Sequence, residues 1–350
     1  MDEKAVDNTE SGTLWQRLNS SWQGIWSSTL GKIGVYLLGF GILMLVVFAL
    51  YQSVPAGEDP GAAIDYPKDW SFGSEVMRAI DDVVDWIIVK GDAFFDGINT
   101  VVLQGVLLPL KKYFLWLPWW SIILVTGTLA WFTSGRRIAI MSTIFLSLMT
   151  IMGFLDRANE TMAITITSTF ICIIFGLPIG IIASRSDRFE GILRPVLDMM
   201  QTMPSFVYLV PALMLFGLGS VPAVMATCIY AIPPIVRLTN LGIRQVDTQV
   251  VEASRSFGTT PSQLLIKVQV PMALPTILAG MNQTIMMALA MVVLASMIGA
   301  GGLGAEILIA ISRIEVGRGV LAGLSIVFMA MILDRITQGF ASRPEPRRAT

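Results

Sequence analysis

Residues 252–258 read Glu-Ala-Ser-Arg-Ser-Phe-Gly, and residues 268–275 read Val-Gln-Val-Pro-Met-Ala-Leu-Pro. The run that they bracket decides the fold, because it is polar and helix-forming yet stands between two long uncharged apolar stretches. A membrane chain keeps such a segment outside the bilayer, within reach of a soluble partner. From Thr248 to Phe257 good helix formers mix with small residues, and Ala253 beside Ser254 lets another surface approach closely. Gly258 permits a backbone reversal that a side chain would resist. Thr259-Thr260-Pro261 has the form of a new helix start, with Thr260 as cap and Pro261 at the first helical position. The local expectation is a short helix, a turn and a second helix.

Composition supports a membrane location. The 350 residues are 54% hydrophobic and only 14% charged, against roughly 25% charged in a soluble domain. A formal net charge of −1 gives no reason to expect nucleic acid as a partner. The chain has no histidine, which removes the usual general base and the commonest metal ligand, so neither a catalytic residue nor a metal site is expected. Cys172 and Cys228 lie inside apolar runs and read as small buried residues. The first apolar run, Ile33 to Tyr51, follows Arg17 and Lys32 and is followed by a poor cleavage site, Val54-Pro55-Ala56. It exceeds the roughly 7–15 apolar residues of a secretory signal and reads as a retained anchor.

The predicted fold is an all-α polytopic membrane protein. About eight segments approach the roughly 20 apolar residues that cross a bilayer: 33–51, 117–133, 138–155, 161–183, 200–217, 221–241, 275–298 and 318–335. The uncharged block from Met199 to Val236 is too long for one helix, and Gly217, Gly219 and Pro222 divide it into two. Arg318 and Asp334 are expected at the ends of the last segment. Arg136-Arg137, Arg185, Arg188, Arg194, Arg244, Arg255, Lys267 and the arginines from 343 onward fall on one side, which is then the cytoplasm. Residues 52–116 fall outside, and no span is expected there. Phe72, Val76, Ile80, Val83, Val84, Ile87 and Ile88 make one amphipathic helix, and Phe94, Phe95, Ile98, Val101 and Val102 a second, lying in the interface or packed on other helices. Arg237 and Asp198 read as snorkelling residues near helix ends. The ends, 1–12 and 343–350, are the expected disordered pieces.

The Glu252 run resembles the EAA loop of permease subunits in bacterial ABC importers: Glu-Ala-Ala, three residues, Gly, nine residues, then Ile-x-Leu-Pro. Glu252, Ala253 and Ser254 fill the first block, Gly258 keeps its place, and Val268 with Val270-Pro271 closes the pattern. From about residue 160 to 340 the wider text, including Met-Gln-Thr-Met-Pro-Ser-Phe-Val-Tyr-Leu-Val-Pro at 200–211, is similar to glycine betaine/proline-type permeases. The resemblance implies that the last five spans form a type I ABC importer core, with Glu252, Ala253, Ser254, Gly258 and Pro271 coupling it to an ATP-binding cassette subunit. It also implies a periplasmic solute-binding protein, a second copy of the chain, a bacterial inner-membrane location with both termini cytoplasmic, and a cargo such as glycine betaine, proline betaine, choline or trimethylamine N-oxide. No Gly-x-x-x-x-Gly-Lys-Ser/Thr occurs, so no cofactor is expected here, and ATP with Mg belongs to the partner.

The expected organisation is a 1–32 cytoplasmic segment, a 33–51 anchor, external amphipathic helices at 52–116, two accessory spans within 117–155, a permease core at 156–340 with its coupling loop at 245–271, and a 341–350 tail. Pro204, Pro211, Pro222 and Pro233-Pro234 break the middle helices, and Phe206, Tyr208 and Met214 beside them are candidates for the pathway wall. Asn282 and Gln283, inside an apolar run, either line the pathway or bond between helices. The absence of charge near the middle of the spans weakens an ion-coupled secondary transporter, the alternative class. An intramembrane enzyme has least support.

Overall fold

A computed structural model describes residues 29–52 and 72–341, and among them there is no strand. The expected tails, most of the 1–32 segment and Val54-Pro55-Ala56 lie outside the described residues. The chain divides into two units after Asp82. The first unit contributes α1 (Thr29–Gln52), whose apolar side chains Leu37, Phe40, Leu43 and Phe48 are exposed around the helix. At 1.5 Å per residue α1 is roughly 36 Å long, enough to span hydrocarbon.

α2 (Gly73–Thr100) opens in the first unit and runs into the second. It is one helix where two were expected, because Gly91 and Gly97 do not break it. Gly91 makes room instead: a Cβ there would sit 2.6 Å from the Phe95 ring. A π turn, Val101–Leu107, leads into α3 (Leu108–Trp116). By length and apolarity Gly73–Trp116 could cross a membrane, contrary to the expectation for 52–116. Its contacts place its second half differently. Phe95 meets the Phe216 ring edge-on at 5.5 Å, and Lys111 Nζ donates to Ser220 Oγ at 3.0 Å. Those two residues are roughly 24 Å apart along a helix, yet both reach one turn, so this stretch runs along one end of the bundle rather than down it.

α4 (Trp119–Ser134) and α5 (Arg136–Ile151) form a hairpin around Gly135, which has φ +88°. Each has sixteen residues, about 24 Å, short of roughly 30 Å of hydrocarbon. The count of eight spans is therefore not reached by length and composition. Among the described residues five helical stretches qualify, or six with one bent pair, and α1 contributes besides them a shorter apolar stretch, Tyr36–Ala49.

That pair is α7 (Asp187–Thr202) and α8 (Leu209–Phe216), joined through a 3₁₀ turn at Ser205–Tyr208 and bent by 107°. The expected continuous span 200–217 is thus broken. Pro204 forces Met203 into an extended conformation, ψ 137°, and cannot donate to continue the helix. Tyr208 Oη donates to the Met200 carbonyl at 2.8 Å and staples the bend.

The core is a slab of three helices: α6 (Leu155–Arg185), α9 (Ser220–Arg244) and, after the two short elements α10 (Thr248–Ser256) and α11 (Pro261–Leu264), α12 (Val270–Ala295). α9 lies in the middle and is the most buried. Small residues set the spacing, since lipid supplies no hydrophobic drive between helices. A Cβ on Gly180 of α6 would lie 2.8 Å from the Val236 carbonyl of α9, and one on Gly280 of α12 would lie 3.3 Å from the Pro234 carbonyl. Pro233 and Pro234 are themselves buried, so the backbone they disturb faces protein. The chain closes with α13 (Gly302–Arg313) and α14 (Val316–Ala341). Asp334 lies inside α14 rather than at its end, where it accepts from Asn282 Nδ2 at 2.9 Å.

The bundle has two distinct ends. At the arginine end, Arg244 of α9 bonds Asp187 at 2.6 Å and Glu190 at 3.1 Å on α7. Arg237 and Asp198, expected as snorkelling residues near helix ends, pair with each other at 2.6 Å. At the glycine end, Gly217, Gly219, Gly299, Gly301 and Gly302 all have positive φ, and the Gly219 N–H bonds the Ile298 carbonyl at 2.9 Å.

Candidate functional site

α10, the turn after it and α11 stand at the arginine end, between the two buried helices α9 and α12. Asp247 caps α10 by accepting from the Gln249 N–H at 2.8 Å. α10 then runs nine residues and stops at Phe257 and Gly258. Gly258 has φ +80°, a conformation that L side chains rarely adopt. Its N–H bonds the Arg255 carbonyl at 2.9 Å, and Thr259 Oγ1 donates to the Ser254 carbonyl at 2.8 Å, which closes the turn. Thr260 and Gln263 then make a reciprocal capping box, with Pro261 at the start of α11.

The faces of α10 differ. Thr248, Val251 and Arg255, spaced by three and four residues, look into a cleft against the bundle. Ala253 is exposed on the other side and Glu252 on the flank, Ser254 is half-buried, and Phe257 is 90% exposed. A large exposed aromatic beside small residues and a carboxylate is a surface that another protein can cover.

From α11 the chain continues through a π turn, Leu265–Gln269, into α12. Pro271 sits one residue into α12 and is exposed. It cannot donate to the carbonyl four residues back, and the widened turn just before it accommodates the ring; the Val270 N–H reaches the Leu265 carbonyl instead. Pro109 follows the Val101–Leu107 π turn in the same way. The result is a continuous path from the exposed turn into the core slab.

The five candidate pathway residues are placed separately. Tyr208 is buried, its ring 6.2 Å from that of Tyr230, and its hydroxyl is used at the bend. Phe206 and Met214 are exposed. Asn282 is a bond between helices, engaging Asp334 and Thr337 of α14. Gln283 is exposed.

Sequence reasoning missed a charged cluster at the glycine end. Glu306 of α13 is buried and held by Arg157 at 2.9 Å and Arg318 at 2.7 Å. Beside it, Glu160 and Thr161 of α6 accept from the N–H groups of Gly302 and Leu303, at 2.9 and 2.8 Å, and so cap the start of α13. The glycine run 299–304 was the available signal, because a backbone at positive φ brought this close to another helix admits no side chain.

The pattern of the family described as "Binding-protein-dependent transport system inner membrane component" matches residues 176–348. The chain is 46% identical over 259 residues to the glycine betaine/proline betaine transport system permease protein ProW of Escherichia coli, covering 74% of this chain and 73% of that one. It is 44% identical to the glycine betaine transport system permease protein OpuAB of Bacillus subtilis, covering 77% and 95%. It is 46% identical to the glycine betaine/carnitine transport permease protein GbuB of Listeria monocytogenes, covering 75% and 93%.

Proposed function

This chain belongs to the inner membrane components of binding-protein-dependent transport systems, and from that premise we propose how it works. It is the permease subunit of an ATP-driven importer for a small quaternary ammonium or zwitterionic solute of the glycine betaine kind. Its role is non-catalytic, and a separate ATP-binding subunit docks on α10 through Glu252, Ala253, Ser254 and the Gly258 turn. The observation that carries this reading is the exposed, doubly capped α10–turn–α11 element, continuous with the buried helix α12.

Motion imposed on α10 has a short route inward. The Gly258 turn is held by its own hydrogen bonds, and the capping box fixes the next helix to it, so the element moves as a unit rather than bending. α12 packs on α9 through Gly280, and α9 packs on α6 through Gly180, so a tilt of α12 shifts the slab. ATP binding by two partner subunits would bring two copies of α10 together and turn the cavity away from the arginine end; hydrolysis would reset it. In this reading the arginine end faces the cytoplasm of a bacterium, both termini lie there, and a solute-binding protein delivers cargo to the glycine end.

Reconstitution tests it. Proteoliposomes holding this chain with its ATP-binding subunit should take up labelled glycine betaine from the loaded binding protein when ATP is inside. They should not do so under an imposed sodium or proton gradient alone. Uptake driven by the gradient without ATP would establish the secondary-transporter alternative. The purified chain alone should bind no nucleotide.

A further inference from the structure

Behind α10 lies a cleft of about 540 Å³, walled by the ends of α6 and α9, by α10 and by the start of α11. Three arginines line it, Arg185, Arg244 and Arg255, and no carboxylate does. Arg244 is already neutralised by Asp187 and Glu190 on α7, outside the cleft. Arg185 donates to a neutral group, the Pro261 carbonyl, at 2.8 Å. The Arg255 side chain has no hydrogen-bond or ion-pair partner among the described residues. Neither nearby acid pairs with these arginines: Asp247 caps α10, and Glu252, exposed one turn before Arg255, makes no ion pair among the described residues and does not line the cleft. Two guanidinium groups from different helices therefore face one concavity with no counter-charge. Thr248 and Ser184 add hydroxyl groups to its wall.

We propose that this cleft binds a phosphate-bearing anion, either the headgroup of an anionic phospholipid or a soluble phosphate. Guanidinium forks match phosphate oxygens in pairs, and charge-assisted bonds of this kind are the strong ones. The cleft sits at the ends of α6 and α9, the level at which headgroups meet a helix bundle. It opens on the face of α10 opposite Ala253, so a small anion can occupy it while the outer face is covered by a protein. Once bound, the anion ties Arg255 on α10 to Arg185 on α6 and fixes the short helix against the slab.

The test uses the full chain, purified in a neutral detergent, and needs neither ATP nor transport, so its failure leaves the importer reading untouched. Retention of phosphatidylglycerol and of phosphatidylcholine is compared by native mass spectrometry, and inorganic phosphate is titrated in a thermal melt. For a lipid headgroup, the wild-type chain retains phosphatidylglycerol about ten-fold better than phosphatidylcholine, and Arg185→Gln with Arg255→Gln abolishes the preference. For a soluble anion, phosphate raises the melting temperature of the wild type and not of that variant. Arg136→Gln with Arg137→Gln, at the same end but outside the cleft, changes neither readout. Should the double variant fold poorly, Arg255→Gln alone carries the test, since its side chain has no partner to lose. The proposal is overturned if neither ligand separates the wild type from the cleft variants, or if the Arg136/Arg137 variant loses as much.

Discussion

Replacing Gly258 isolates the turn from everything around it. Its φ of +80° is the reason for glycine, because no heavy atom lies within 4 Å of the place where a Cβ would stand. A side chain there meets open space, so the whole penalty is backbone strain. For a β-branched residue that strain is roughly 1–3 kcal/mol. At the α10–α11 connection this lowers the share of molecules holding the native turn by about 5-fold to about 150-fold relative to relaxed alternatives. Asn tolerates positive φ and should keep the turn within about two-fold. The assay is uptake of labelled glycine betaine in proteoliposomes with the ATP-binding subunit and binding protein, read beside stimulation of ATP hydrolysis. Gly258→Val should cut uptake at least about 5-fold, with the melting temperature of the purified chain nearly unchanged, and Gly258→Asn should transport almost normally. Wild-type uptake by Gly258→Val would refute the assignment of coupling to this turn. Equal losses in Val and Asn would refute the backbone argument, since bulk against the partner would then be the cause.

Glu252→Ala should weaken binding of the ATP-binding subunit by no more than about 1 kcal/mol, because the carboxylate is exposed; titration of the subunit onto immobilised chain reads it, and an unchanged affinity removes Glu252 from the interface. Phe257→Cys should react in intact cells with a membrane-permeant thiol reagent and not with an impermeant one, since Phe257 is 90% exposed while Cys172 and Cys228 are buried. Labelling by the impermeant reagent would reverse the proposed orientation. Arg318→Ala should lower the melting temperature of the purified chain, because it leaves Glu306 buried with one partner fewer; Glu306→Gln should cost less, and a melt of Arg318→Ala that matches wild type would deny the cluster a structural role. Tyr208→Phe should cost about 1 kcal/mol by freeing the Met200 carbonyl at the bend, again by thermal melt, with no loss if water replaces the hydroxyl.

What could be read in the sequence was local. The turn at Gly258 and the helix start at Thr260-Pro261 are written in four adjacent residues, and backbone chemistry alone sets their form. The apolar runs identified α6, α9, α12 and α14 for a similar reason, since each satisfies its own backbone groups in lipid. What was not legible depended on residues far apart in the chain. Pro204 announces a break, but the direction of α8 comes from packing and from the Tyr208 staple. Glu306 looks like a loop carboxylate until Arg157 and Arg318 are brought to it. Asn282 was legible as polar among apolar neighbours, yet only the presence of Asp334 and Thr337 on α14 decides that it bonds between helices. Residues 72–88 and 94–102 form two apolar groups, each at helical spacing, and α2 joins them because the helix continues through Gly91.

The π turn between α11 and α12 also sets a rotational phase. Each residue in a helix advances the chain by about 100° around the axis. A π turn holds one residue more than an α-helical turn would, so the α10–α11 element is clocked around α12 by that much. A one-residue deletion within Leu265–Gln269 would leave every apolar contact of α12 in place and yet swing Glu252, Ala253 and Phe257 to a different bearing. It would also return Pro271 to a turn with no slack for its ring. The length of this short stretch is therefore held from both directions, by the proline that follows it and by the compass heading of the surface that precedes it.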